Sequence, residues 1–422
     1  VDGAVMSKVN GKINVLVVGS GAREHALAWK ISCSPLLGKL FLWGANDGFA
    51  ELGEVLKCSD FEALARLCKA NRIELAVIGP ELPLSQGIVD ELQKAGIKCI
   101  GANQKWAKLE SSKAYAKEFM KKHNIPTAKY ELIKEGDSID CVLDAFDNPP
   151  VLKADGLAAG KGVYIPAGFD DARAMLKDFL GGKFGEASHS VVVEEFLEGE
   201  ELSVISLFDG KTLKTFIPAR DYKRLMDDNK GPNTGGMGAY CPVKISEFHQ
   251  EKINGYLKKL EDALLAEKAD FCGVVYSGLM LTDKDVKVLE YNMRFGDPET
   301  EPLMMHLKSD ILEIFMAAAE QKLDEVQIEW REGTAMCVVI ASQGYPDSPK
   351  KGCDIKGVAA VEVEYSVKVF FAGVKKAGKH LLSDGGRVLC VTASGKNPRK
   401  NIYKAVEKID FSDKIFRTDI NA

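Results

Sequence analysis

The sequence predicts a multidomain α/β protein: an N-terminal doubly wound parallel sheet, a central α+β region, and a small β-rich C-terminal domain. Three observations predict it. Between Ile13 and Asn103, strand-length apolar runs alternate with helical patterns, and each run ends in a glycine turn, as in parallel sheets that carry ligands at the carboxyl ends of their strands. From Val151 to Leu289 the strand-like runs follow one another closely enough to pair antiparallel. After Trp330 the pattern changes to short strands and a last helix. The expected divisions are residues 1–12 as a disordered extension, 13–112, 113–330 with a small lid inserted at about 129–195, and 331–422. A chain of 422 residues exceeds one ordinary core.

Composition narrows the function classes. A net charge of −5 argues against nucleic acid as the main partner. Apolar runs such as Ala335–Ala341 are too short to span a bilayer. Ten cysteines without a C-x-x-C pair, several inside apolar runs, point to a reducing cytosol and to no disulfide or zinc framework.

Ile13–Val18 is a buried strand running through Gly19-Ser-Gly21 into a helix. Further strands at Leu40–Trp43, Leu75–Ile78 and Lys98–Ile100 end at Gly44-Ala-Asn-Asp-Gly48, Gly79-Pro-Glu81 and Gly101-Ala-Asn103. A dinucleotide fingerprint fails, because Glu24 stands where the third glycine belongs and Trp43-Gly44 closes the second strand without an acid. Backbone amides at the helix start plus Arg23 suit a phosphomonoester instead. His25 is read as a helix-surface histidine and at most a minor phosphate contact.

A helix carrying Leu109–Lys113 ends near His123. Strands at Val151–Ala154 and Gly162–Ile165 flank Asp155-Gly-Leu-Ala-Ala-Gly-Lys-Gly162, which fails the Walker A spacing. Its glycines and the flanking Lys153 and Lys161 suit a loop folding over a triphosphate, although a plain flexible hairpin would look alike. Ser190–Leu197 is a strand whose end could offer Glu195–Leu197 backbone to an adenine. Strands at 202–208 and 213–218 lead to Asp221 and then to Gly231-Pro-Asn-Thr-Gly-Gly-Met-Gly238, an anion nest or substrate loop rather than a core element. Ile253, Tyr256, Leu257, Leu260 and Leu264 mark one helix face. Gly273–Leu281 and the strand from Val286 form a hairpin, and helical pattern covers about 300–322. In the last region strands fall at Thr334–Ala341, Val367–Phe371 and Arg387–Ala393, with a helix at Pro398–Lys408; Ser342 and His380 are loop residues.

The chemistry centres on Val286–Glu299. In a strand, Glu290, Asn292 and Arg294 point to one side, within about 14 Å of one another. Mg²⁺ favours one or two carboxylates plus substrate phosphates, and an arginine beside them clamps an anion. A half-exposed polar strand would show the same alternation; the remaining glycine loops and lysines decide for the site. Lys113 and Lys153 for phosphates, a covering loop, an adenine edge and a separate phosphate pocket make a device for phosphoryl transfer from ATP to a small acid. A carboxylate attacks the γ-phosphate, and an amine then displaces phosphate.

These residues resemble the phosphoribosylamine–glycine ligases (glycinamide ribonucleotide synthetases) of the ATP-grasp superfamily. The resemblance rests on Gly21-Ala-Arg-Glu-His-Ala-Leu-Ala28, Gly79-Pro-Glu-Leu-Pro-Leu84, Lys153–Gly162, Gly231–Ala239 and Asn292-Met-Arg-Phe-Gly-Asp-Pro-Glu299. It implies a central ATP-grasp domain and a purine-biosynthesis enzyme that activates glycine as glycyl phosphate for attack by 5-phosphoribosylamine. Lys113, Lys153, Gly160, Lys161 and Gly162 would meet ATP phosphates, Glu194, Glu195, Phe196 and Leu197 the adenine, and Glu201 the ribose. Glu290 and Asn292 would hold Mg²⁺ or Mn²⁺. Gly19, Gly21, Arg23, Asn46, Gly48, Pro80, Glu81, Asp221, Thr234, Gly235, Gly236 and Arg294 would face the other substrates, with Lys153 and Arg294 at the chemistry. A cytoplasmic monomer acting on glycine, 5-phosphoribosylamine and ATP, with no nucleic acid or membrane, is expected.

Three positions depart from the family pattern. Ala22 replaces a common glycine, Gly44–Gly48 replaces Pro-Gly-Asn-x-Gly, and Glu301 replaces glutamine, adding a possible charge near the metal. The preceding strand, Tyr276–Met280, offers no further acidic ligand. The rivals are another ATP-grasp carboxylate–amine ligase or carboxylase, and a nucleotide-binding regulator without chemistry.

Overall fold

Alternate residues of Ile13–Val18 enter two different cores. Ile13, Val15 and Val17 join one, and Leu16 and Val18 the other, because a central parallel strand is buried on both faces. The computed structural model describes residues 11–157, 162–182 and 190–422. The first sheet is parallel, in the order Glu54–Val55, Leu37–Trp43, Ile13–Val18, Leu75–Ile78 and Lys98–Ile100. Chain order reverses between Ile13–Val18 and Leu75–Ile78, so the crevice of this sheet opens between Gly19-Ser-Gly21 and Gly79-Pro-Glu81.

The region around 130–194 is a four-stranded sheet in the order Tyr130–Lys134, Ser190–Glu194, Val151–Ala154, Val163–Tyr164. Helices Ile139–Leu143 and Phe169–Leu180 give it a small core of its own. The central sheet runs Leu213–Thr215, Glu200–Phe208, Gly273–Leu281, Val286–Asn292, all antiparallel. Helix Glu247–Ala266, whose N-cap Ser246 accepts from the His249 N–H, buries Ile253, Tyr256, Leu260 and Leu264 against it. The helix expected through Lys113 is broken at Ser112, whose hydroxyl caps a new helix, Lys113–Lys122, by accepting from the Tyr115 N–H. The helices expected after 300 are Thr300–His306 and Ile311–Ala319, the second capped by Asp310.

A third sheet has the order Arg220–Asp221, Gly238–Cys241, Thr334–Ala341, Arg387–Gly395, Lys368–Phe371. Strands from both sides of residue 330 therefore share one hydrogen-bonded sheet. His380, expected in a loop, opens the short strand His380–Ser383. Among the described residues no helix is long and apolar enough to cross a membrane.

Candidate active site

A cleft of about 940 Å³ lies where the three sheets and the small lid meet, in the size range of substrate pockets. Lysines line its lid side. Lys113 Nζ donates to Gly156 C=O at 3.0 Å; burial lowers its pKa, while Glu290 opposes that. Lys153 Nζ lies 3.0 Å from Glu194 Oε2 and donates to Leu289 C=O at 3.2 Å. Lys117, not singled out from sequence, sits 3.1 Å from Glu194 Oε1 and donates to Thr127 Oγ1 at 2.7 Å. Its i, i+4 spacing from Lys113 was the available signal. Burial brings Lys117 down to about 8 although Glu194 pulls the other way. Gly162 lines the cleft, whereas Gly160 and Lys161 lie outside the described residues.

The adenine edge differs from expectation. Ser190–Glu194 ends before it, the Glu194 carboxylate is buried between two lysines, and the Glu195 N–H donates to Lys129 C=O at 2.9 Å. Glu195 Oε1 accepts from Lys287 Nζ at 2.6 Å and the Lys129 N–H at 2.9 Å. Phe196 and Leu197 line the cleft.

On the opposite wall, Glu290 pairs with Gly278 but Val288 pairs with Leu279, so Leu289 is one extra residue in the strand. This bulge sets the facing pattern. Val286, Val288 and Tyr291 are buried in the core, while Glu290 and Asn292 line the cleft. The strand ends at Asn292, so Arg294 is not its next outward residue. Its guanidinium is instead aimed by acids: Nη2 is 3.0 Å from Glu110 Oε1 and Nε 3.5 Å from Glu81 Oε2. Glu110, also missed from sequence, accepts the Met293 N–H at 2.7 Å. Lys223 bridges Glu201 (2.8 Å) and Glu290 (3.8 Å). Burial opposes the Lys223 charge, but Glu201, Asp221 and Glu290 hold it well above the usual lysine range. Burial of Glu290 is outweighed by Lys223, Lys153 and Lys113, which keep it ionised. Asp221 is pushed up to about 8 by burial and the surrounding acids, against Lys223.

These groups would not enclose a metal ion by themselves. Among the described residues no three His, Cys, Asp or Glu side chains form a metal cluster. One ionised carboxylate and one amide oxygen suit a hard divalent ion that brings phosphate oxygens with it, not a standalone protein cage.

The first-sheet loops are more committed than the sequence implied. The Gly21 N–H, expected to hold a phosphate, donates to Glu24 Oε2 at 2.6 Å. Glu24 fills the space under the turn so fully that a Cβ on Gly79 would lie 2.0 Å from its Oε1. Gly19 has φ +125° and packs on Pro80. Arg23 does reach the cleft, paired with Glu24 Oε1 at 2.5 Å and donating to Phe295 C=O at 3.1 Å. Burial of Glu81 is outweighed by Arg294 and Arg23, which hold its carboxyl below the usual range.

Asn46 and Gly48, expected at substrate, instead tie this domain to the C-terminal one. The Asn46 amide donates to Ser20, Phe371 and Ala372 carbonyls at 2.7–3.0 Å, and a Cβ on Gly48 would strike the Phe371 ring. His25 is no surface residue: it stacks between Phe49 and Phe371, and its Nδ1 accepts the Phe371 N–H at 2.9 Å. Burial, then Lys368, lowers it to about 3. Glu301 is fully buried with neither carboxylate oxygen hydrogen-bonded. Burial and Asp297 push its pKa well up, which works against the extra charge expected there.

The loop Gly231–Gly238 is pinned rather than an open nest. Thr234 N–H and Oγ1 both donate to Lys223 C=O at 2.8 Å, and Gly236 N–H donates to Thr234 Oγ1 at 3.0 Å. Two C-terminal side chains that sequence reading missed, Tyr345 and Arg387, close on it. The Gly385-Gly386-Arg387 run was the available signal.

Residues 13–110 match the phosphoribosylglycinamide synthetase N domain, 111–300 its ATP-grasp (A) domain and 335–422 its C domain. The phosphoribosylamine–glycine ligase of Mesorhizobium japonicum is 44% identical over 97% of each chain. The crystal structure of the Thermotoga maritima phosphoribosylamine–glycine ligase superposes with a TM-score of 0.86 at 34% identity, covering 97% of this chain and all of that one. The biotin carboxylase domain of Hydrogenobacter thermophilus 2-oxoglutarate carboxylase shares the fold, with a TM-score of 0.71 at 14% identity over 96% of this chain and 91% of that one.

Proposed function

The chain belongs to the phosphoribosylglycinamide synthetase family, and from that premise we propose that it joins glycine to 5-phosphoribosylamine at the expense of ATP. The observation that carries the reading is the facing pair of walls: Lys113 and Lys153 on one side of the cleft, Glu290 and Asn292 on the other, with Arg23 and Arg294 at its end.

The glycine carboxylate attacks the γ-phosphorus of ATP, the bond to the β-bridging oxygen breaks, and glycyl phosphate and ADP form. The phosphoribosylamine nitrogen then attacks the acyl carbon, expelling phosphate and losing a proton to give glycinamide ribonucleotide. Lys113 and Lys153 bind phosphate oxygens and offset the charge that accumulates on them. Phe196 and Leu197 meet the adenine, and Glu201 exchanges Lys223 for the ribose hydroxyls. Arg23 and Arg294, held by Glu24, Glu81 and Glu110, orient the anionic groups of the two smaller substrates. Glu290 and Asn292 would hold Mg²⁺ or Mn²⁺, which would supply neutralisation of phosphate charge.

We take the protein to act as a cytosolic monomer; its ten cysteines, all free thiols, suit a reducing compartment. The test is ADP release with ATP, glycine and phosphoribosylamine generated in situ. Release that requires both glycine and the amine supports the reading. ADP formed only with bicarbonate, or nucleotide binding without turnover, refutes it.

A further inference from the structure

Arg387 opens the strand Arg387–Gly395, more than ninety residues beyond the strand that carries Glu290. Its Nη1 donates to Gly235 C=O at 2.7 Å and to Asp297 C=O at 2.8 Å, and its Nη2 lies 3.0 Å from Asp297 Oδ1. One planar guanidinium thus joins the glycine loop to the turn that follows Arg294. The Tyr345 hydroxyl accepts the Gly235 N–H at 2.9 Å from the same side. Gly386 makes room for that ring, since a Cβ there would lie 2.3 Å from it. Asp297 itself reaches the first domain: its Oδ2 is 3.3 Å from where a Cβ on Gly21 would stand, and its charge acts on Arg23. Three domains meet at this carboxylate.

We propose that Arg387, seconded by Tyr345, is a positioning residue for the phosphorylated amine substrate. This deepens the ligase reading and rests on it. The guanidinium does two things at once. It fixes the loop around Thr234–Gly236 against the turn around Asp297, and it neutralises Asp297, which would otherwise present a bare anion beside Arg23, one of the two arginines assigned to the anionic substrate groups. A lysine keeps the charge but cannot span two carbonyls and a carboxylate. The nucleotide end of the cleft takes no part in this contact.

The experiment is steady-state kinetics of R387A, R387K and Y345F beside the parent enzyme, varying ATP, glycine and phosphoribosylamine in turn, with melting temperature recorded. For R387A the KM for the phosphorylated amine should rise about ten- to a hundredfold, the loss of a charge-assisted contact, while the KM for ATP stays within about twofold. R387K should fall between, Y345F should raise the same KM about threefold, and added guanidinium should restore part of the R387A loss. If R387A does not fold, R387K and Y345F decide. Parallel rises in every KM, parent-like values throughout, or a loss seen only in melting temperature would overturn the proposal. An inactive parent enzyme would instead strike the ligase reading itself.

Discussion

Replacing Glu194 by alanine should unlatch the lid from the body of the protein. The Glu194 side chain is 3% exposed and lies 3.0 Å from Lys153 Nζ, on its own sheet, and 3.1 Å from Lys117 Nζ, on helix Lys113–Lys122 of the central domain. The carboxylate stands between those two ammonium groups, so its removal leaves two buried like charges facing each other. Breaking a buried pair by deleting one partner costs about 3–5 kcal/mol. The cost has a predictable pH dependence. Lys117 already stands at about 8 in the folded protein against 10.5 when free, and without Glu194 it falls further. In the window between its folded and free values the unfolded chain binds more protons, so stability rises with pH, by up to about 1.4 kcal/mol per unit for one group. Relative to the parent, that slope differs only below about 8, where E194A has given up the Lys117 proton and the parent has not, so the deficit of E194A should shrink as pH rises toward about 8 and stay flat above it. Native-state hydrogen exchange of the strands Val151–Ala154 and Ser190–Glu194 reads the local opening free energy directly. Opening within about 1 kcal/mol of the parent at pH 7, or a deficit indifferent to pH, would refute the reasoning.

Glu290→Ala should lower metal-dependent turnover by well over ~100-fold, read by Mg²⁺ titration of the ligase assay; a parent-like rate would place the ion elsewhere. Arg294→Ala should raise KM for the anionic substrates about tenfold or more and leave ATP nearly unaffected, and equal effects on both would contradict its assignment. His25 is held neutral at about 3 by burial and Lys368 against 6.5 when free. The unfolded chain binds the extra proton between those values, so this group's share of stability is lost as pH falls from about 6.5 toward 3, at up to about 1.4 kcal/mol per unit. Urea midpoints of His25→Phe should lack that slope relative to the parent, above a constant loss of about 1–3 kcal/mol for the orphaned Phe371 N–H; parallel curves would show that His25 does not titrate there.

Elements with a clean period were legible: the continuous apolar run before Gly19, the i, i+3, i+4 face of Glu247–Ala266, and the strand that carries Glu290 and Asn292. Of the glycine runs, those that supply Gly156, Gly162, Thr234 and Gly235 do line the cleft, whereas Gly48 packs on Phe371 instead. What escaped depends on long-range partners. Nothing local to Val288-Leu-Glu290 announces a bulge, which exists because of the register against Gly278 and Leu279. Glu24 reads as a departure from a glycine pattern, yet its carboxylate supplies the contact that a phosphate was expected to make with Gly21. His25 was misjudged because the aromatic rings that bury it come from residues 49 and 371. Arg387 and Tyr345 lie in a region whose strands were recognised but whose neighbours were not.

The sheet that runs from Arg220 through Cys241 to Thr334 and Lys368 also governs how this polypeptide can be divided. Severing the gene near position 330 would strip Gly238–Cys241 of the backbone partner that Thr334–Ala341 supplies. Each fragment would then bear a raw ladder edge, inviting self-association. The last ninety residues are thus not a cassette that can be exchanged among relatives: a graft would have to carry the 220–241 ribbon along with it.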